Sequence, residues 1–315
     1  MGQIHQLIMK HGIDGARARS HDKLGRQCVD AAFAVMSDEE RPIGITHAGF
    51  AMAALPHKAV QETSWERQGG SIRLLIESGL GPDRVPAGLP YGAIARMILL
   101  YLQTEAVRTR SREVELGRSM NHWLKSMGIE VGGKSYRLVR EQSHRLSLCR
   151  LTFYRVTDAA TFVTNGSFVR SAILPHRSGS EDGTNQFMLW QESVKLDEGF
   201  YQSLIDHPLP LREAAIKQIA HRSMATDVYV WLAYRLHKLQ KVTPITWQSL
   251  YEQFGGGFQR VRAFRAKFRE PLALALAAYP EAVVEVDEHG VKLHPSAPPV
   301  PEVQMSNVSR LLRRR

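Results

Sequence analysis

The stretch ITWQSLYEQFGGGFQRVRAFRAKFREPL, residues 245–272, decides how the rest of the chain is read. It predicts two helices joined by a glycine turn. Thr246 is placed to cap a first helix that runs to Phe254, where Gly255, Gly256 and Gly257 interrupt it and supply the positive φ of a sharp reversal. The second helix is expected from about Phe258. Phe258, Val261, Phe264, Phe268 and Leu272 recur at steps of three and four and form its buried face. The opposite face carries Gln259, Ala263, Ala266 and Glu270, rimmed by Arg262 and Arg269 on one side and by Arg260 and Lys267 on the other. A helix with an apolar back, a small polar front and cationic edges suits a DNA major groove, its rims meeting phosphates and its front the base edges. Pro271, late in this helix, is expected to bend or shorten it.

The same order of elements is legible upstream. A buried helix is expected from Tyr91 to Val107, with Ile94, Met97, Ile98, Tyr101 and Leu102 facing inward. A strand follows at Arg112–Leu116, and then a helix over Met120–Met127, capped by Ser119 and ended by Gly128. After Gly132 and Gly133 a third helix is expected from Ser135 to Cys149. It turns Leu138, Val139, Leu146 and Cys149 inward and Arg137, Arg140 and His144 outward, with Tyr136 beside them. Strand-like segments at 151–157 and 161–169 are expected to close this unit as a β-wing. Asn165-Gly166 is a two-residue turn signal around which a tight hairpin could form. Downstream the matching parts are the helix Ala225–Leu239, the stretch quoted above, and a closing hairpin of Val283–Val286 with Val291–Leu293. Helix, strand, helix, glycine turn, basic helix and hairpin, given twice, predict an α+β chain of two tandem winged-helix domains. The expected boundaries are a partly extended lead-in at 1–86, the winged helices at 87–186 and 187–294, and a disordered, proline-rich tail with a basic end at 295–315.

The remaining segments are less informative. Within 1–45 only Val29–Met36 reads as a short helix, and no function attaches to it. Gly49–Pro56 and Ser71–Glu77 are strand-like. Leu174–Gly183 reads as an exposed loop, Phe187–Leu196 as a strand, Glu198–Ile205 and Arg212–Ala220 as helices, and 207–210 as a joint.

Bulk properties narrow the function classes. Forty-one Lys and Arg against thirty-one Asp and Glu leave a formal charge of +10, which favours a polyanionic partner. The apolar run Met97–Leu102 is far too short to span a bilayer, so double-stranded DNA is preferred to a membrane. Two cysteines, Cys28 and Cys149, indicate no disulfide framework and fit a reducing cytoplasm. No H-x-H pair and no zinc-type spacing occurs, so no metal, cofactor or catalytic residue is expected. The one enzyme-like pattern is Gly128-Ile-Glu-Val-Gly-Gly-Lys-Ser135, which matches a phosphate-binding loop with Lys134 on the phosphates. That chemistry needs a buried strand leading into the loop, and the residues before it read as helix. Lys134 is therefore assigned to DNA contact. The expected DNA-binding set is Lys134, Tyr136, Arg137, Arg140 and His144 in the first unit, with Gln259, Arg260, Arg262, Ala263, Ala266, Lys267 and Arg269 in the second.

With these residues in view, the chain resembles the RepA-type replication initiators of bacterial plasmids. The blocks that carry the resemblance are LPHK (55–58), LPYGAIARMILLYLQTEA (89–106), LGRS (116–119), GGK (132–134), QSHRL (142–146), Trp190 to Phe200, the Asp227–Leu236 helix and LHPS (293–296). Together they cover roughly 45–300, and their order carries the specificity. The resemblance implies binding to repeated sites in a plasmid origin, help in opening the duplex, and recruitment of the host initiator and replicative helicase. It also implies dimers that repress their own promoter beside monomers that initiate. A winged-helix transcriptional regulator and a nucleotide-dependent DNA-processing enzyme are the alternatives.

Overall fold

The computed structural model describes residues 2–70, 72–156, 160–171 and 193–301. Its fold is mixed α and β. In chain order the elements are α1 (Gln3–Ala18), α2 (Lys23–Met36), β1 (Ile43–His47), α3 (Gly49–Met52), β2 (Ser64–Gly69), β3 (Ile72–Glu77), α4 (Gly92–Thr109), β4 (Glu113–Glu115), α5 (Met120–Ser126), α6 (Gly133–Leu148), β5 (Arg150–Val156), β6 (Thr161–Ser167) and β7 (Val169–Ser171). They continue with β8 (Ser193–Leu196), α7 (Glu198–Asp206), β9 (Pro208–Arg212), α8 (Glu213–Ile219), α9 (Ser223–Arg235), β10 (Thr243–Thr246), α10 (Trp247–Phe254), α11 (Val261–Ala277), β11 (Val284–Val286) and β12 (Gly290–Leu293).

Two three-stranded antiparallel sheets share one plan. In the first the strand order is β4-β8-β7, and in the second it is β10-β12-β11. In each, the strand that precedes the helix pair lies beside the last strand of the following hairpin. The hairpin expected as the first wing does something else: β5 pairs with β3, and β2-β3-β5-β6 form a separate four-stranded antiparallel sheet. Asn165 and Gly166 are not its turn. They pair with Thr152 and Leu151 inside β6, where a Cβ on Gly166 would stand a tight 3.0 Å from the Asp197 carboxylate. The loop expected at 174–183 and the start of the strand expected at 187–196 lie outside the described residues.

Buried apolar side chains form one continuous cluster from Ile8 in α1 to Leu293 in β12, with a small satellite of Ile45, Val107 and Leu204. α4 is buried on nearly every side, Ala95, Met97, Ile98, Leu99 and Leu102 all facing protein, so its apolar surface is not confined to one stripe. α9 is the same kind of helix, burying Val228, Tyr229, Trp231 and Leu232.

Several local expectations are corrected. Gly49–Met52 is a helical turn, not a strand. Residues 208–212 are a strand rather than a joint. β9 pairs with β1 in a two-stranded ladder and buries Leu209 and Leu211, and its prolines are accommodated because the ladder has no further neighbour. α11 starts at Val261, three residues later than expected, and runs through Pro271 to Ala277. Pro271 does not end it because the last two turns are clamped: Pro271, Leu272, Leu274 and Ala275 are all buried, and α2 and α9 pack along them. The expected tail packs as far as Val300. Val300 is 2% exposed, the Tyr279 hydroxyl donates to Ala297 O at 2.8 Å, and Arg212 Nε donates to Pro299 O at 2.6 Å. The basic end, Arg310 to Arg315, lies outside the described residues.

Candidate nucleic-acid interface

Each helix pair is built by the same local chemistry. Ser119 Oγ accepts the His122 N–H at 3.2 Å to start α5, and Thr246 Oγ1 accepts the Ser249 N–H at 3.1 Å to start α10. Gly128, at φ +70, ends α5 in the left-handed region, and the Ile129 N–H returns to Leu124 O at 2.8 Å. Of the three glycines at 255–257 only Gly257, at φ +97, needs the left-handed region. Gly256 serves a close approach instead, since a Cβ there would strike the Arg67 guanidinium from β2. The Tyr251 hydroxyl donates to Phe258 O at 2.6 Å and closes the second turn, while the Tyr136 hydroxyl donates to Asn121 Oδ1 and ties α6 to α5.

Behind the second helix lies an aromatic stack: Phe264 and Phe268 have ring centroids 4.9 Å apart, and Phe254 lies 5.5 Å from Phe268. Behind the first lie Trp123, Leu124, Met127, Val139 and Leu146, all buried. Such packing fixes which face each helix shows to solvent.

Lys134, Arg137 and Arg140 are exposed on α6, with Tyr136 and His144 half-buried beside them. On and just before α11, Gln259, Arg260, Arg262, Ala263, Ala266, Lys267 and Arg269 are all exposed. Both expected sets are therefore brought together, each on one helix, and Glu270 alone turns away to meet Arg222 at 3.0 Å. Elsewhere cations are held by carboxylates: Arg145 by Glu141, Arg212 by Glu281, Lys217 by Glu213. Among the described residues no carboxylate holds Lys134, Arg137, Arg140, Arg260, Arg262, Lys267 or Arg269. Two helix faces carrying only unpaired positive charge and small or polar groups are suited to a polyanion.

The loop at 128–135 has no phosphate-cradle geometry. It is entered from helix α5 rather than from a strand, and every ladder among the described residues is antiparallel. Among the described residues no group of three or more His, Cys, Asp and Glu is placed to hold a metal ion, and no helix is long and apolar enough to cross a membrane.

What the sequence reading missed is the joint between α4 and α9. Arg96 of α4 and Asp227 of α9, both buried, form a bidentate pair, and the same guanidinium donates to the carbonyls of Leu55 at 2.7 Å, Gly92 at 2.8 Å and Pro56 at 3.1 Å. His57 Nδ1 lies 3.7 Å from Asp227 and 3.1 Å from Ser223 Oγ. Burial, reinforced by the Arg96 charge, holds His57 down to about 4. The signal was a single charge inside each of two apolar helical runs, IARMILL and ATDVYVW, where an unpaired charge is not tolerated.

A family model described as plasmid encoded RepA protein matches residues 89–249, just over half of the 315. Compared with curated proteins, the chain has no significant match. Among solved structures it is similar to a crystal structure of SeMet derivatives of domain 2 and domain 3 of RctB, with 10% identity and a TM-score of 0.50 over 79% of this chain and 98% of that one. A second crystal structure of RctB domains 2-3 aligns at 11% identity and a TM-score of 0.44, covering 70% of this chain and 80% of that one. At such identities the likeness is one of fold.

Proposed function

This chain belongs to the plasmid-encoded RepA family of replication initiators, and on that premise we propose that it binds repeated duplex sites at a plasmid origin through two winged-helix units. The units are read as 87–186 and 187–294, except that β8 (Ser193–Leu196), the central strand of the sheet it forms with β4 and β7, belongs with the first. In each, a buried long helix, a capped short helix, a glycine turn and a cationic second helix are closed by a three-stranded sheet, the two sheets sharing one strand order. α6 and α11 are the groove-reading helices. Origin opening and recruitment of a host initiator and replicative helicase complete the reading, with the cytoplasm as its place and no catalytic step of its own. Dimers of the chain act as repressors in the same scheme.

The observation that carries this reading is the pair of matched helices whose exposed cations lack carboxylate partners. Its test is fluorescence anisotropy on duplexes drawn from the DNA flanking the gene, over a range of salt. If Arg137, Arg140, Arg260, Arg262, Lys267 and Arg269 all neutralise phosphates, the log–log slope of affinity against salt is about −5 or steeper. A slope near zero on a specific duplex would mean that these charges are merely solvated.

A further inference from the structure

The N-terminal helical hairpin carries a group of cations that the interface above leaves unused. Between Lys10 and Arg26 the chain has five Lys and Arg against two Asp. Arg17 is committed, its guanidinium meeting Asp30 at 2.7 Å and Asp14 at 3.9 Å. Asp22 is committed too, capping α2 by accepting the Gly25 N–H at 2.7 Å. Arg19, Lys23 and Arg26 are exposed in and beside the α1–α2 turn, and among the described residues no carboxylate holds them. The one contact given to this trio is Arg19 Nη1 donating to Gly15 O at 3.1 Å.

Where this turn lies follows from three contacts. His5 Nε2 stands 2.9 Å from Ala277 O, which fixes the start of α1 at the C-terminal end of α11. The Arg17–Asp30 pair locks the far end of α1 onto α2. α2 returns beside α1 and packs against α11. α1 therefore leads away from the C-terminal end of α11, and the α1–α2 turn falls toward its N-terminal half. Lys23 and Arg26, at the start of α2, thus lie toward the half of α11 that displays Arg262, Ala266, Lys267 and Arg269.

Unpaired cations gathered beside a cationic helix repel one another unless an anion lies between them. We infer that the α1–α2 turn is a second phosphate-binding segment of the second unit, Arg19, Lys23 and Arg26 gripping the duplex backbone beside the groove that α11 enters. This rests on the initiator reading above. A lipid surface fits the turn poorly, because Ile8, Ala16, Val29 and Ala32 are buried in the core and the exposed apolar side chains of the hairpin, Met9 and Phe33, stand ten or more residues from the turn.

The test is the triple variant Arg19→Gln, Lys23→Gln, Arg26→Gln in the full chain, on the same duplexes. These side chains are exposed, so circular dichroism and thermal midpoint should be unchanged. Three further phosphate contacts steepen the wild-type salt slope to about −8, and the variant returns it to about −5. Hydroxyl-radical protection should disappear from phosphates flanking the α11 patch and stay intact at the α6 patch. If the unsubstituted chain shows no salt-dependent binding, the initiator reading itself falls. If it binds and protects both patches while the triple variant keeps the same slope and footprint, the grip by the turn is wrong and the initiator reading stands.

Discussion

Arg96 and Asp227 each occupy the fifth residue of a long buried helix, α4 and α9, and they meet face to face, Nε to Oδ1 at 2.7 Å and Nη2 to Oδ2 at 2.6 Å. The pair bolts α4 to α9, and α6 packs on α4 as α11 packs on α9. Its partners are matched: a planar guanidinium against a carboxylate, with three backbone carbonyls taking the remaining donors.

Breaking this pair from one side leaves a buried charge with no counter-charge. Asp227→Leu alone, or Arg96→Met alone, should cost about 3–5 kcal/mol, whereas the double change should cost clearly less than the sum. Urea unfolding of the four species measures this directly. Additive costs would show that the two side chains do not act as a unit.

Two buried histidines set an acid limit. Burial, with His207 adding to it, holds His47 down to about 3, and His57 stands at about 4, against an ordinary value of 6.5. Between those values and 6.5 the unfolded chain binds protons that the folded chain refuses. Stability is therefore full above pH 6.5 and falls as pH drops toward 4 and then 3. With both groups refusing a proton near pH 5, the slope contributed is about 2.7 kcal/mol per pH unit. Urea midpoints at pH 7 and pH 5 check the direction, and His57→Gln should remove about half of the slope. A stability that rises on acidification would contradict it.

Lys134 opens α6 with an exposed side chain. Lys134→Ala should weaken duplex binding and make the salt slope shallower by about 1. It should have no ATPase to abolish. ATP turnover by the unsubstituted chain that this substitution removes would restore the phosphate-loop assignment of residues 128–135.

Period and caps made α4, α5, α6, α9 and α10 readable, because apolar spacing and a capping hydroxyl such as Ser119 or Thr246 are local signals. Non-local choices were not readable. Whether β5 pairs with a wing or with Ile72–Glu77 depends on a partner more than seventy residues away. Asn165-Gly166 carries a turn signal that pairing with Thr152 and Leu151 overrides. α1 has helical spacing at Ile4, Leu7 and Ile8, but Gly12 (φ +68) and Gly15 interrupt the pattern, and the helix is completed by docking on α2 and reaching Ala277. Pro271 is held helical by burial that its neighbours in sequence do not announce. At the interface, the cationic faces of α6 and α11 were legible residue by residue. The Arg96–Asp227 joint between α4 and α9 was visible only as two misplaced charges.

The central claim is that one chain reads one repeat with two helices. Two linked units on one face of the duplex should protect patches separated by roughly one helical turn, about ten base pairs, on a non-palindromic site. Hydroxyl-radical footprinting of Arg140→Ala and Arg262→Ala on a single repeat tests it most directly. Arg140→Ala should weaken protection at one patch and Arg262→Ala at the other, each costing on the order of 1–3 kcal/mol if it reads a base. Loss of the same single patch in both variants, or a palindromic site that needs two chains, would contradict the account.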